Sequence, residues 1–430
     1  MRSVSRPAPG SRPSRGARLC AAVVLAGLAA GAAGIAMALL LELVELVFYG
    51  TTGTSLPQRV TAAPPWRRVL APALGGAVAG TLWWWLRATG GVVGVEAAVA
   101  DRSGATARRM GLVRPVVDAV VQVLTVGAGN SVGREGAPRL IAGAAAARIC
   151  SGLGLGAGTT TLLLAASAGA GLAAMYNAPL GGAAFAVEMT MVAGTRRRGV
   201  ALALPVGLIA TAVSWLHSRG RPALEVVVDG PDAATVAGAL LVAPLALALG
   251  VGARGLWAWF RVHRLPDTWA LPVGIGAAGA LTGTVSLWLP VLPGNGRDAL
   301  EAALGAPATV PALVALVAVV ALKPLLTALT LGAGATGGLL APSFALGGSA
   351  GAAVAVACTL AGLEVSVAVL ALVGAGTVLA VTQRAPVFGV LFVWELVRTP
   401  VWTLGLLALI ALPTWWLASG RPRRGGRRPT

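Results

Sequence analysis

The feature that most limits what this chain can become is a succession of apolar runs broken by glycine and proline. The runs fall near 19–48, 68–87, 112–127, 138–150, 160–176, 179–194, 199–216, 233–260, 270–291, 309–332, 343–362, 365–381, 385–398 and 400–418. A straight helix needs about 20 apolar residues to cross a bilayer, and several of these runs are shorter. Interrupted helices at membrane depth are tolerated only where protein buries them or where they line a cavity. The interruptions at 133–138, 177–182, 332–342 and 385–389 are therefore where function is sought. Composition supports a membrane chain: 57% of the 430 residues are hydrophobic and 11% charged, with a mean hydropathy of +0.82. A soluble domain carries about 25% charged residues, so soluble enzymes, disulfide scaffolds and disordered chains are excluded. Cys20, Cys150 and Cys358 stand far apart and read as small packed hydrophobes.

The net charge of +18 is concentrated beside the apolar spans. Arg2, Arg6, Arg12, Arg15 and Arg18 precede the first span, and Arg421, Arg423, Arg424, Arg427 and Arg428 follow the last. This positive-inside pattern predicts that both ends are cytoplasmic in a multi-pass protein of the cell membrane. Arg196, Arg197 and Arg198, and then Arg254, Arg261 and Arg264, predict two further cytoplasmic loops. Lipid is the expected surroundings, and no nucleic-acid partner is expected, since the tails lack interleaved aromatics. The run from Leu19 to Val47 is too long for a signal core and reads as a retained helix. No cofactor or metal is expected, because His217 and His263 lack ligand company and no phosphate loop or nucleophile elbow is present.

The interruptions come in pairs. Ala178-Pro179, Gly182, Phe185 and Glu188 recur as Ala385-Pro386, Gly389, Phe392 and Glu395, at a constant offset of 207. Gly133, Ala137, Pro138 and Gly143 recur as Gly337, Ala341, Pro342 and Gly347, at an offset of 204. The order of the two offsets implies a duplicated unit. The expected organisation is a basic tail (1–18), a first membrane half (19–216), a linker (217–232), a second half (233–419) and a second basic tail (420–430). In transporters such halves are commonly inverted, with broken helices meeting near the midplane.

The segment Gly129-Asn-Ser-Val-Gly133-Arg134-Glu135-Gly136-Ala-Pro138 carries the chemistry. Glycine permits close backbone approach, and a helix start leaves amides and the positive dipole end facing a ligand, which makes an anion site. Glu135 is anomalous, because a carboxylate between apolar runs costs about 2.5–3.5 kcal/mol at mid-bilayer unless it is solvated or partnered. Two explanations stand at this point: its carboxylate occupies the anion site and leaves on protonation, or it is ion-paired with Arg134.

Gly133-Arg134-Glu135-Gly136, then Lys323, Gly334 and Gly338-Leu339-Leu340-Ala341-Pro342, with the paired Ala-Pro helices, resemble the CLC family of chloride channels and anion/proton antiporters. Gly294-Asn-Gly296 resembles a further loop of that family. The resemblance covers roughly residues 20–419 in the family's order. It implies an all-α polytopic membrane protein, an inverted repeat of two halves with short, tilted and broken helices. It implies passive or weakly proton-coupled movement of small anions, chloride first, through one pore in each subunit of a homodimer. By position, Glu135 matches the gating glutamate, and Gly133, Arg134, Glu135, Gly136, Leu339 and Leu340 match the anion-coordinating helix ends.

Departures from the family pattern bear on selectivity and coupling. The family's anion-binding serine falls on Val92, its pore phenylalanine on Leu340, and its central tyrosine on Arg424 or on nothing. The inner proton-transfer glutamate of the antiporters falls on Met189, whose thioether carries no proton. A proton-coupled antiporter of chloride, fluoride or another anion is the alternative. Glu188 and Glu395 read as structural partners of helix ends, Asp118 and Glu364 as partnered or boundary residues, and Glu42 and Glu45 as interfacial. An intramembrane enzyme would need a convergent nucleophile and base or a metal, which the sequence lacks. A non-transporting scaffold or receptor would not need paired breaks at membrane depth.

Overall fold

The computed structural model describes residues 14–50, 55–191 and 193–420. Arg424, and with it the position matched to the family's tyrosine, lies outside the described residues, as do the arginines before residue 14 and after residue 420. Among the described residues every regular element is helical, and the one strand-like contact is an isolated antiparallel bridge between Gly133 and Gly338. Eight of these helices are long and apolar enough to cross a membrane: Arg15–Tyr49, Pro65–Ala88, Ala157–Tyr176, Arg196–Ser218, Ala233–Val262, Val310–Gly332, Leu340–Leu360 and Val401–Ala418.

Local chemistry sets their starts. Side chains of Ser14, Asp232, Thr309 and Ser366 accept from backbone amides three residues on, at 3.2, 2.7, 3.4 and 3.4 Å, which supplies amides that a helix start leaves without partners. The abundance of glycine has its cause in helix contact. Pro65–Ala88 lies against Ala270–Val285 through Gly76, Gly80, Gly279 and Gly283, where an added Cβ would strike backbone of the facing helix. Small residues let helices approach closely where lipid gives no hydrophobic drive for association.

The second repeat retraces the first. Ala157–Tyr176 ends at Asn177 with φ 54°, and Val367–Gln383 ends at Arg384 with φ 56°. Each is followed by a non-helical alanine, Ala178 or Ala385, and a proline-initiated helix, Pro179–Phe185 or Pro386–Val397. Glu188 accepts from the amides of Val387 and Phe388 at 3.3 and 2.8 Å. Glu395 accepts from Leu180 and Gly181 at 3.0 and 2.6 Å. The two bonding patterns are the same pattern displaced by 207 residues, so each carboxylate caps the equivalent helix of the other half.

The bridge behaves likewise: the Gly133 amide donates to the Gly338 carbonyl at 2.9 Å, and the Gly338 amide to the Gly133 carbonyl at 2.8 Å. Two residues that bond each other reciprocally lie across a local two-fold axis. The structure thus pairs Gly133 with Gly338, at an offset of 205, rather than with Gly337. Helices Gly136–Gly152 and Leu340–Leu360 start at an offset of 204, so the first loop holds one residue more than the second, between Gly133 and Ala137. That extra length is the stretch containing Glu135.

The first helix begins on one face of the molecule, called here the near face, and its far end meets the start of Pro65–Ala88, where Arg67 Nε donates to the Phe48 carbonyl at 2.6 Å. The 24-residue helix Pro65–Ala88 then returns about 36 Å at 1.5 Å per residue, placing Arg87 on the near side. Gly136–Gly152 runs to the near face, where Arg18 Nη1 donates to the Leu153 carbonyl at 3.3 Å. Leu340–Leu360 runs the other way, toward Ser366 and Thr235, which are bonded at 2.9 Å. The two halves are inverted.

Glu395 is 6% exposed, and removing it leaves two amides of Pro179–Phe185 without their acceptor. Glu395→Ala is expected to destabilise the protein by about 2–4 kcal/mol, from the loss of hydrogen bonds to a charged group. Thermal unfolding in detergent, monitored by tryptophan fluorescence against a surface control such as Arg219→Ala, reads this loss.

Candidate functional site

Glu135 is the N-cap of Gly136–Gly152, and its side chain is wholly buried. Oε1 accepts from the Ala341 amide at 2.6 Å, a short bond of the charge-assisted kind. Ala341 is the second residue of Leu340–Leu360. Two helix starts therefore converge on one carboxylate, one from each half, and both present their positive ends to it. Oε2 makes no hydrogen bond and rests against Gly133 and Gly338, where an added Cβ would fall on it. The site needs glycine at both places for this reason.

Several expectations change here. Arg134 makes no ion pair with Glu135; its Nε and Nη1 are buried without hydrogen bonds, so the ion-pair explanation of Glu135 is set aside. The amides of Gly133 and Gly338 are consumed by the bridge, and the amide that meets the carboxylate belongs to Ala341, one residue beyond the Leu339–Leu340 pair. Ala341 was part of the sequence motif, but only the helix start at Leu340 decides which amide points inward. Glu45 is packed inside the protein, 9% exposed, with Arg59 at 3.8 Å. Glu42 is exposed and lies 3.5 Å from His217, which ends a helix rather than standing in a loop.

Two clefts approach Glu135 from opposite faces. The near cleft, about 760 Å³, is lined by Gly136, Gly338, Leu339 and Leu340 at its inner end, with Val92, Asp118, Gln122, Phe185 and Met189 along its walls. Arg87, Arg139, Arg261 and Arg264 also line it, beside Glu96 and Asp267. Arg139 Nη2 meets Glu96 at 2.5 Å, and its guanidinium lies 4.2 Å from the Phe185 ring centroid. Asp267, in the loop at the cleft mouth, receives Arg264 at 2.7 and 2.9 Å and Arg87 at 2.7 Å. The Arg264 hydrogen bonds, with Arg87 adding to them, hold its carboxyl down to about 2, so it stays ionised at any physiological pH. The far cleft, about 380 Å³, is lined by Glu42, Glu45, Arg59, Arg134, Asn295, Arg297 and Asp298.

The structure thus gathers Gly133, Glu135, Gly136, Leu339 and Leu340 around one point. Val92 stands in the near cleft and Arg134 in the far one. Of the four near-cleft arginines, Arg261 and Arg264 had stood out only as part of a basic cluster, and nothing in the sequence joined Arg87 and Arg139 to them. A buried lysine escaped functional reading too: Lys323, wholly buried, donates to the carbonyls of Leu292 and Gly294 at 2.8 and 2.7 Å, fixing the loop that the far cleft uses. At the bridge offset of 205, Lys323 is the repeat equivalent of Asp118. Among the described residues no three His, Cys, Asp or Glu side chains converge as metal ligands.

An inverted helical repeat whose broken helices meet at a buried carboxylate between two opposed clefts defines a membrane transport protein. Residues 75–417 match the family described as voltage gated chloride channel, and the chain belongs to this CLC family of anion-transporting membrane proteins. It is 30% identical over 403 residues to the voltage-gated ClC-type chloride channel ClcB of Escherichia coli strain K12, covering 88% of this chain and 90% of that protein. Among solved structures it is similar to a slow cyanobacterial Cl⁻/H⁺ antiporter, with TM-score 0.75, 23% identity, and coverage of 94% and 96% of the two chains. A CLC-type fluoride/proton antiporter gives TM-score 0.70 at 18% identity, covering 94% and 95%. These two likenesses concern the fold.

At Gly338 the three nearest atoms to an added Cβ all belong to the Glu135 side chain, with Oε2 nearest. Gly338→Ala is therefore expected to expel the carboxylate from its position, and to reproduce the flux behaviour of Glu135→Ala in the same assay. A Gly338→Ala protein with unaltered flux and pH dependence contradicts this packing.

Proposed function

We propose that this protein moves small inorganic anions, chloride first, passively or with weak proton coupling, and that Glu135 is its gate. One observation carries the reading: a wholly buried carboxylate occupies the point where two helix N-termini converge. That point suits an anion, since the amide ends and dipoles of both helices favour negative charge there. While ionised, Glu135 competes with the permeant anion; protonation removes its charge and its hold on the Ala341 amide. The near cleft then admits an anion through a wall of four arginines and three carboxylates, an excess of positive charge that draws anions inward.

Backbone amides and arginines carry recognition in this reading, because the positions matched to the family's serine and pore phenylalanine hold Val92 and Leu340. Chloride comes first because the relative ClcB is named as a chloride channel. The proton-coupled alternative, with chloride, fluoride or another anion, draws on the named activities of the two antiporter structures. Met189 lines the near cleft, and its thioether offers no proton site, which favours weak coupling. The protein works as a homodimer in the cell membrane, with the near face cytoplasmic and both termini on it.

In proteoliposomes, Glu135→Gln is expected to permit anion efflux at least as fast as the parent and to flatten its pH dependence, because the competitor no longer changes charge. A folded Glu135→Gln protein without efflux, or with unchanged pH dependence, rejects the gate. Competition among chloride, fluoride and nitrate in the same efflux assay identifies the preferred anion.

Topology is tested separately. Ser14→Cys and Ser419→Cys, each in a cysteine-free background, are expected to resist a membrane-impermeant thiol reagent in intact cells and to react after permeabilisation. Labelling of either one in intact cells contradicts cytoplasmic termini.

A further inference from the structure

Of the three carboxylates that line the near cleft, two are neutralised. Glu96 meets Arg139 at 2.5 Å, and Asp267 meets Arg264 and Arg87 at 2.7 Å. Asp118 differs. It is 6% exposed and its hydrogen-bond donors are neutral: Trp83 Nε1 to Oδ1 at 2.8 Å, and Gln122 Nε2 to Oδ2 at 2.6 Å. Among the described residues no arginine, lysine or histidine forms an ion pair with it. A buried carboxylate without a cation partner is costly when ionised, and such a group is suited to take up and release a proton.

Its position gives that property a use. Gln122 is 3% exposed, and its amide spans the distance between Asp118 and the start of Gly136–Gly152. The Gln122 Oε1 atom is buried without a hydrogen-bond partner and abuts Gly136, the residue following Glu135. Glu135 Oε2 is also buried without a partner. The near cleft touches all four of Gly136, Gly338, Leu339 and Leu340 around that carboxylate, and it touches Asp118 and Gln122 as well. Its volume of about 760 Å³ has room for several waters at about 30 Å³ each.

We propose that Asp118 is the inner proton-exchanging group of this protein, linked to Glu135 through Gln122 and water in the near cleft. The proposal rests on the reading of Glu135 as the gate. The Glu135 carboxylic acid gives its proton to cleft water, the Asp118 carboxylate takes one up, and Asp118 releases it to water at the cleft mouth. Only O–H bonds are made and broken, and one proton moves in net. Of the other candidates, Glu188 caps Pro386–Val397 through the Val387 and Phe388 amides and does not line the near cleft, and Met189 binds no proton.

The charged groups around Asp118 are few. Arg87 reaches it electrostatically from Pro65–Ala88, and Arg139, on Gly136–Gly152, lines the same cleft. Arg114 shares its helix but is bonded to the carbonyls of Leu86, Thr89 and Gly91. Glu96, Arg261, Arg264 and Asp267 lie around the cleft. Glu42 and Glu45, on the first helix, face the far cleft. Arg87 acts on Asp118 through its field alone, since its own bonds run to Asp267, Gly334 and Thr336.

The test uses the full chain in proteoliposomes under a chloride gradient, with chloride and proton fluxes recorded together. The parent protein is expected to move a small proton flux above that of empty vesicles. Asp118→Asn is expected to lower the proton-to-chloride ratio about tenfold or more, the proton flux being read against the variant's own chloride efflux. Gln122→Met is expected to lower the ratio in the same direction, and it decides the matter alone if Asp118→Asn does not purify as a folded protein. An unchanged ratio in the variants, or a parent proton flux equal to that of empty vesicles, overturns the relay and leaves the gate standing. Loss of chloride efflux in folded Glu135→Gln overturns the gate and the relay with it.

Discussion

A bilayer core offers no water to a broken helix, so every backbone group freed at a break must find its partner within the protein. This constraint organises the molecule. Each half supplies what the other's breaks lack: Gly133 and Gly338 exchange amide and carbonyl, while Glu188 and Glu395 each cap the equivalent helix across the axis. The aromatic seam follows the same boundary, with Phe185 against Phe388 at 5.3 Å and Tyr176 against Phe392 at 5.2 Å. Neither half could keep its own breaks satisfied at the midplane, and the interrupted helices are a property of the pair.

The functional point arises where that symmetry is broken. The first loop carries one residue more than the second, and the added length lets Glu135 turn its carboxylate onto the start of the opposite half's helix. The second repeat has Leu339 and Leu340 in the corresponding stretch and contributes an amide instead of an acid. The same division appears at the bridge offset of 205, where the first half holds Asp118 and the second holds Lys323. Asp118 faces the near cleft among neutral donors, whereas Lys323 is consumed by two carbonyls. Duplication built the frame, and divergence between equivalent positions placed acid and base on opposite sides of the site.

Much of this was legible in the sequence because it depends on local rules. Apolar run length located the helices: the segment at 112–127 became Val113–Gly127, and that at 400–418 became Val401–Ala418. Where a run continued past its helix, as at 270–291 against Ala270–Val285, the chain turns toward Pro293 and the Gly294–Gly296 loop. The paired Ala-Pro motifs announced the repeat, and Glu135 stood out because a carboxylate between apolar runs requires a reason. The short helices Leu56–Ala62, Val95–Ala100 and Ala105–Arg109 gave no comparable signal, since five to seven residues are too few for a period to show.

The sequence by itself determined the helical class, the duplication and the identity of the anomalous acid, because hydropathy, glycine and proline placement and the cost of a buried charge act along the chain. Tertiary structure alone decided the partners. Whether Arg134 pairs with Glu135 or turns to the far cleft, which amide reaches the carboxylate, and that arginines from positions 87, 139, 261 and 264 share a cleft with Asp118 all depend on contacts between residues distant in sequence. Such contacts depend on how helices are rotated and shifted against one another. A one-residue difference in loop length, invisible to composition, moves the repeat register from 204 to 205 and with it the atom that meets Ala341.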